Sequence, residues 1–260
     1  MRIVRLLAIA AALALLLAWL SPYILLRLGL PQMARNMGGS FEVTGALPAF
    51  PFGASASRVA VTREGHTLVL DDFRAVLSFS GPRLDARVAE GNLLVRGNDP
   101  QLKSGIVRLE GVALESLATV LTTPFGLRGR CDGVWRFGPD SSLEGTVTRG
   151  AVLVQSPAPV EVPFAQLVLS AARSGEDGDW KVNALDIQGP PLSGHASGTL
   201  GADQSLAFDI DIRELEEPVK GFMAMMHLPT EPLPLALQLQ GSLGMPRLVQ
   251  RAETAAASGR

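Results

Sequence analysis

The chain has 260 residues, with 23 basic and 25 acidic side chains and a formal net charge of −2. A protein that binds nucleic acid usually carries an excess of basic residues, and this chain has none, so no nucleic-acid partner is expected. Cys131 is the single cysteine, which excludes an intrachain disulfide and leaves stability to a packed core.

The first predicted element is an apolar helix near the N-terminus. The run from Leu6 to Leu26 contains no charged side chain. About 21 residues at about 1.5 Å each make a helix of roughly 32 Å, which is enough to cross the hydrocarbon core of a bilayer. Trp19 and Tyr23 suit the aromatic belt at a membrane interface. The sequence therefore predicts a single-pass membrane anchor within residues 1–30.

The alternative for this segment is a cleaved secretory signal, because Arg2 and Arg5 precede the apolar run. No small-x-small cleavage site follows, since bulky or rigid residues such as Trp19 and Pro22 occupy the region where it would lie. A retained anchor is favoured, and later cleavage stays open. Arg2 and Arg5 favour a cytoplasmic N-terminus, although Arg27 on the other flank weakens the asymmetry. Residues 31–250 are then expected to form one periplasmic β-rich domain, followed by a flexible tail at 251–260.

Alternation of apolar and polar residues is the main signal after residue 30. In residues 127–137 the odd positions are apolar or small and the even ones are charged, with Val134 the exception. Similar patterns predict about twelve strands joined by short turns, and hence a mainly β protein with a large twisted antiparallel sheet. The candidate apolar face comprises Leu127, Trp135, Phe137, Leu206, Phe208 and Ile210. This face is a core if the sheet closes over it and a lipid-sized groove if it stays open.

Two segments have helical rather than strand spacing. Apolar residues recur every three or four positions between Val112 and Leu121, which predicts a short helix. Pro218 suits the first turn of a second helix, which carries Phe222, Met225 and Met226 on one side. Flexible methionines suit a partner contact, so these three residues form a candidate contact site. The alternative is a helix that covers the end of the sheet with gap-filling methionines.

The residues with reactive or metal-binding side chains form no recognisable site. His66, His195 and His227 each lack a second ligand at a metal-binding spacing, so no metal site is predicted. The hairpin tip Glu176–Asp179 joins residues 164–172 to residues 180–188, and its acids are interpreted as a solubilising turn rather than calcium ligands. Cys131 lies on the apolar side of its strand and is expected to act as a small hydrophobe. Neither a nucleotide-binding nor a nucleophile-elbow motif occurs, so no cofactor and no enzymatic activity are expected.

The order of several motifs gives a family resemblance. After the apolar N-terminus come Gly-Ser-Phe-Glu-Val-Thr-Gly at 39–45, Phe52-Gly53 and the strand at 57–61. Further on come the segments at 111–117, 125–133 and 192–200, and the closing Gly-Ser-Leu-Gly-Met-Pro at 241–246. This order resembles the type II secretion system protein N family (GspN), which is in turn similar to AsmA-like envelope proteins with open sheet grooves.

The resemblance implies a location and a role. It implies a non-enzymatic accessory or structural component of type II secretion, anchored in the bacterial inner membrane and facing the periplasm. The expected partners are the inner membrane and other secretion or envelope proteins. In the alternative, an AsmA-like protein binds or transfers lipid acyl chains in a β groove, with phospholipid as its ligand. The sequence leaves the protein partners and the oligomeric state open.

Overall fold

A computed structural model describes residues 20–29, 31–32, 40–50, 52–63, 66–78, 80–117, 125–154, 160–175, 178–225, 227–243 and 245–251. Over these residues the chain is mainly β, with fifteen strands and few helices, and every reported strand pairing is antiparallel. This confirms the coarser part of the predicted fold class, a mainly β protein with a large antiparallel sheet. The chain divides into two compact units, residues 1–122 with 136–138 and residues 123–135 with 139–260.

The first unit contains the following elements. Its strands are β1 (Ser40–Thr44), β2 (Leu47–Ala49), β3 (Gly53–Arg63), β4 (His66–Ser78), β5 (Gly81–Val88), β6 (Gly91–Gly97) and β7 (Gly105–Ala113). Before them, residues 20–24 are helical and continue into a π-helical turn, Leu25–Gly29. After β7 comes the one-turn helix α1 (Leu114–Leu117).

The first unit is an antiparallel ladder in the order β1-β3-β4-β5-β6-β7, and β2 pairs with the start of β3. Val59 lies opposite Leu70, and Leu70 opposite Val88, so these residues share one apolar face. Leu26 from the N-terminal segment packs into the same cluster. The buried residues of this core are Leu26, Ala54, Ala56, Val59, Leu70, Phe73, Ala86, Val88 and Val112.

The other face of this ladder is charged. Its cross-strand or near-neighbour ion pairs are Arg83 with Asp85 at 2.8 Å, Arg87 with Asp72 at 3.1 Å, and Arg108 with Glu110 at 3.9 Å. All six side chains are well exposed, so each pair contributes little to stability. The alternation in β5 thus separates a packed face from a solvated one.

The second unit continues with longer strands. They are β8 (Phe125–Phe137), whose last two residues group with the first unit, β9 (Asp140–Val154), β10 (Val160–Ser174), β11 (Trp180–Gln188), β12 (Leu192–Leu200), β13 (Ser205–Leu215), β14 (Leu235–Ser242) and β15 (Met245–Gln250). The helix α2 (Val219–Met225) lies between β13 and β14. Neighbours in the ladder follow chain order from β8 to β15. The predicted hairpin is confirmed, since Leu169 of β10 lies opposite Leu185 of β11.

The core of the second unit lies where α2 meets the ladder. The N–H of Phe222 donates to the carbonyl oxygen of Pro218 at 3.1 Å, so the proline opens the helix as predicted. Val219 and Met223 are buried on the strand side of α2. The buried residues of this core are Val162, Ile212, Leu215, Val219, Met223, Leu235 and Leu237.

Two sequence-based predictions differ from the structure. Val112 belongs to β7 rather than to a helix, and the helical residues are Leu114–Leu117, with 118–124 outside the described residues. Val112 is fully buried, so it continues the core face of the strand and tertiary packing overrides the helical spacing. The structure also has fifteen strands where the alternation predicts about twelve, in part because a strand as short as β2 shows no clear alternation.

The predicted membrane anchor lies mostly outside the described residues, since only 20–26 of its apolar run are included. In the part of the chain that is described, no helix combines the length and the apolar character needed to cross a membrane.

Candidate functional site

The main apolar recess lies in the first unit, under the N-terminal helical segment. It has a volume of about 210 Å³. Its walls are Pro22, Leu25, Leu26, Ala54, Phe73, Ala75, Val76, Leu77, Pro82, Arg83, Leu84, Val95 and Leu102. Arg83 is the one charged residue in this wall, so the recess suits an apolar ligand better than a polar one. We call it the apolar cavity.

A hydrogen-bonded turn positions the outer wall of the apolar cavity. The carboxylate of Asp99 accepts bonds from the backbone N–H groups of Gln101 at 2.8 Å, Lys103 at 3.2 Å and Ser104 at 3.0 Å. These bonds, that of Lys103 foremost, hold the pKa of Asp99 below its usual value. The turn between β6 and β7 is thereby fixed, and it carries Leu102 to the cavity.

The residues of the predicted apolar face have different environments in the structure. Leu127 is half-buried on β8, and Phe137 groups with the first unit, where its ring occupies the space that a Cβ on Gly105 would need. Trp135 is 43% exposed and therefore does not lie in a closed core. The face of a later strand is more continuous, because Leu206, Phe208 and Ile210 lie on one side of β13.

Burial along β13 changes from one end to the other. Leu206, Phe208 and Ile210 are half-buried, whereas Ile212 is buried in the cluster that α2 joins. The neighbouring strand β14 repeats the gradient, since Leu237 is buried and Leu239 is half-buried. The candidate face is therefore covered at the α2 end and less covered toward Leu206.

The candidate contact residues on α2 have different environments. Met225 is 57% exposed, and Phe222 is half-buried. Met226 lies outside the described residues. Met223 turns toward the strands and is buried, so part of the methionine cluster fills the core as the alternative reading expects. The exposed Met225 remains available for a contact.

The histidines do not converge. The ring of His195 pairs through Nδ1 with the Asp186 carboxylate at 2.8 Å, and the two residues lie opposite each other in the β11–β12 register. Sequence reasoning missed this partner, because the two residues meet only through strand pairing. His66 and His227 are exposed. No group of three His, Cys, Asp or Glu side chains that could hold a metal occurs among the residues the structure covers.

Cys131 and the acidic turn have unreactive environments. Burial, and then the neighbouring Asp132 carboxylate, raise the pKa of the half-buried Cys131 thiol, which keeps it protonated at neutral pH. Asp179 accepts a hydrogen bond from the N–H of Ala202 at 3.1 Å, so it joins two turns of the ladder. Glu176 and Asp177 lie outside the described residues.

These features define a class: a mainly β protein of antiparallel ladders with an apolar cavity beside its N-terminal segment. Comparison with models of known protein families, with curated proteins and with solved structures gives no match. The resemblance of the sequence motifs to a secretion family thus remains a prediction, and the functional argument continues from the residues.

Proposed function

We propose that the chain is a non-enzymatic accessory or structural component of type II protein secretion, anchored in the inner membrane with its β-rich part in the periplasm. The order of the GspN-like motifs and the apolar run Leu6–Leu26 support this role and location. A protein of this kind acts by contacting other envelope proteins, so it needs a surface that a partner can recognise.

The observation that carries the proposal is the edge strand β15. It pairs with β14 and has no second neighbour among the described strands. Met245 is 77% exposed and Val249 is 43% exposed, and Leu243 in the preceding turn is 56% exposed. An edge strand offers unpaired backbone groups, and exposed apolar side chains give a partner strand something to bury. The partner is therefore a strand of another secretion component, added beside β15.

Site-specific photocrosslinking tests this contact in cells that secrete by the type II pathway. A photoreactive residue in place of Met245 should give a crosslink to a secretion protein. The same residue in place of the exposed Asp203, in the β12–β13 turn, should give none. Proline in place of Gln250 should reduce both the crosslink and secretion, because the N–H of Gln250 faces away from β14 and its loss removes a backbone donor from the free edge. A strain that lacks the protein and still secretes normally would contradict the role.

A second candidate function is supported by the apolar cavity. Its almost wholly apolar wall and its volume of about 210 Å³ suit part of a lipid acyl chain. For comparison, an apolar cavity of roughly 150 Å³ is enough to stay dry and hold a benzene-sized molecule. In this alternative the chain binds or transfers acyl chains, as the AsmA-like resemblance implies.

Native mass spectrometry of the full chain, released from detergent, tests the second candidate. The wild type should retain a phospholipid adduct. The variant Ala75→Phe, which fills the cavity from β4, should lose the adduct, and Ala207→Phe on the exposed side of β13 should keep it. A wild-type protein that carries no lipid would remove the support for acyl-chain binding and leave the secretion proposal standing.

A further inference from the structure

Three arginines converge on a recess on the charged face of the first unit. Its volume is about 470 Å³, and it is distinct from the apolar cavity although the two share Val76 and Arg83. The residues used below are Arg74 of β4, Arg83 of β5, Arg96 of β6, and Phe50 at the rim. We call it the arginine recess.

Charge in the arginine recess is not balanced. Asp85 is the one acid in its wall, and it is already paired with Arg83 through Nε at 2.8 Å and Nη2 at 3.0 Å. Arg74 lies opposite Asp85 in the β4–β5 register, but neither Arg74 nor Arg96 has a hydrogen bond or an ion pair within the described ranges. On the same face, Arg87 and Arg108 each have a carboxylate partner.

The strand register places two of these positive charges opposite each other. Arg83 lies directly opposite Arg96 in the β5–β6 pair. Like charges directly opposite one another destabilise an antiparallel pair. An anion between the guanidinium groups would offset this repulsion. A planar guanidinium group can donate two parallel hydrogen bonds to two oxygens of one phosphate group.

The position of the recess indicates where the phosphate comes from. The apolar cavity, which shares two wall residues with it, is closed by Pro22, Leu25 and Leu26 at the end of the predicted anchor. With the anchor of the proposed function preceding Pro22, the arginine recess would lie near the membrane surface. Phe50 at its rim is 80% exposed, as expected for a side chain that meets a lipid interface.

We infer that the arginine recess binds a phosphate group, and that the headgroup of an anionic phospholipid is the source its position favours. The binding site itself stands on Arg74, Arg83 and Arg96. The choice of headgroup over a free phosphate ester rests on the membrane anchor of the proposed function. Binding here would hold the first unit against the bilayer and orient the ladder relative to it.

Calorimetric titration of the full chain in non-ionic detergent tests this inference. The probes are inorganic phosphate and a short-chain phosphatidylglycerol that dissolves as a monomer. The double variant Arg74→Gln/Arg96→Gln removes the two unpaired charges. The matched control Arg87→Gln/Arg108→Gln removes the same charge from the same face at residues that already have acidic partners. Circular dichroism checks that both variants keep their strands.

The expected result is binding to the wild type, a loss of affinity of about tenfold or more in the first variant, and little change in the control. Binding of phosphatidylglycerol alone identifies the headgroup as the source, and equal binding of inorganic phosphate identifies free phosphate. No binding of either probe overturns the inference, as does an equal loss in both variants, which would mean nonspecific charge attraction. The crosslink from Met245 on β15 does not depend on the arginine recess. The phosphate-binding inference can therefore fail while the secretion proposal stands.

Discussion

Replacing Leu237 with Ala should cost the second unit about 2–5 kcal/mol of unfolding free energy, the range for large-to-small changes in a packed core. Leu237 is 1% exposed and belongs to the cluster that joins β13, β14 and α2. It lies opposite Ile210 in the β13–β14 register. Truncation therefore leaves a cavity in the buried cluster that α2 joins.

Urea unfolding followed by tryptophan fluorescence measures this change, because Trp135 and Trp180 both belong to the second unit. The matched variant is Trp135→Ala, which should cost clearly less than the roughly 3–5 kcal/mol of a buried tryptophan, since Trp135 is 43% exposed. Equal losses from the two variants would mean that the face around Trp135 is as closed as the core under α2. That result would favour a sealed core over a groove.

The strands were readable from the sequence because alternation is a local property. The hairpin of β10 and β11 could be predicted from two alternating runs and an acidic, glycine-containing turn, and the structure pairs Leu169 with Leu185 accordingly. The helix after Pro218 was readable for a similar reason, since proline fits a first turn. Val112 was placed in a helix by its spacing, although burial in the first core holds it in a strand.

The candidate sites depend on register, which the sequence does not specify. Arg74, Arg83 and Arg96 lie on three successive strands, β4, β5 and β6. They come together only because of the register in which these strands pair. The partnership of His195 with Asp186 has the same origin. The apolar cavity adds a further requirement, namely the packing of Leu26 onto the ladder. One local signal could have indicated the recess: an arginine flanked by apolar or small residues on each of three consecutive strands, β4, β5 and β6.

A glycine on β12 shows how closely the ladder packs beneath the candidate apolar face. Gly198 lies opposite Phe208 of β13. A Cβ at this position would lie 2.6 Å from the Cα of Phe208 and would also collide with the carbonyl oxygen of Ala207. Both neighbours are backbone atoms, so they cannot move aside by changing a side-chain rotamer. The absence of a side chain is therefore a requirement of this strand pair.

The variant Gly198→Ala should destabilise the second unit by about 1–3 kcal/mol, the range for overpacking a close contact, and should displace Phe208 from the candidate face. Gly145→Ala on β9 is the control, because the nearest atom to its added Cβ is the carbonyl oxygen of Asp132 at an ordinary 3.6 Å. This control should be neutral or slightly stabilising, since alanine restricts the unfolded chain more than glycine does. Urea unfolding monitored by tryptophan fluorescence compares the two variants. If Gly198→Ala proved as stable as Gly145→Ala, β12 and β13 would have to separate easily, and the face that carries Phe208 would be adaptable rather than rigid.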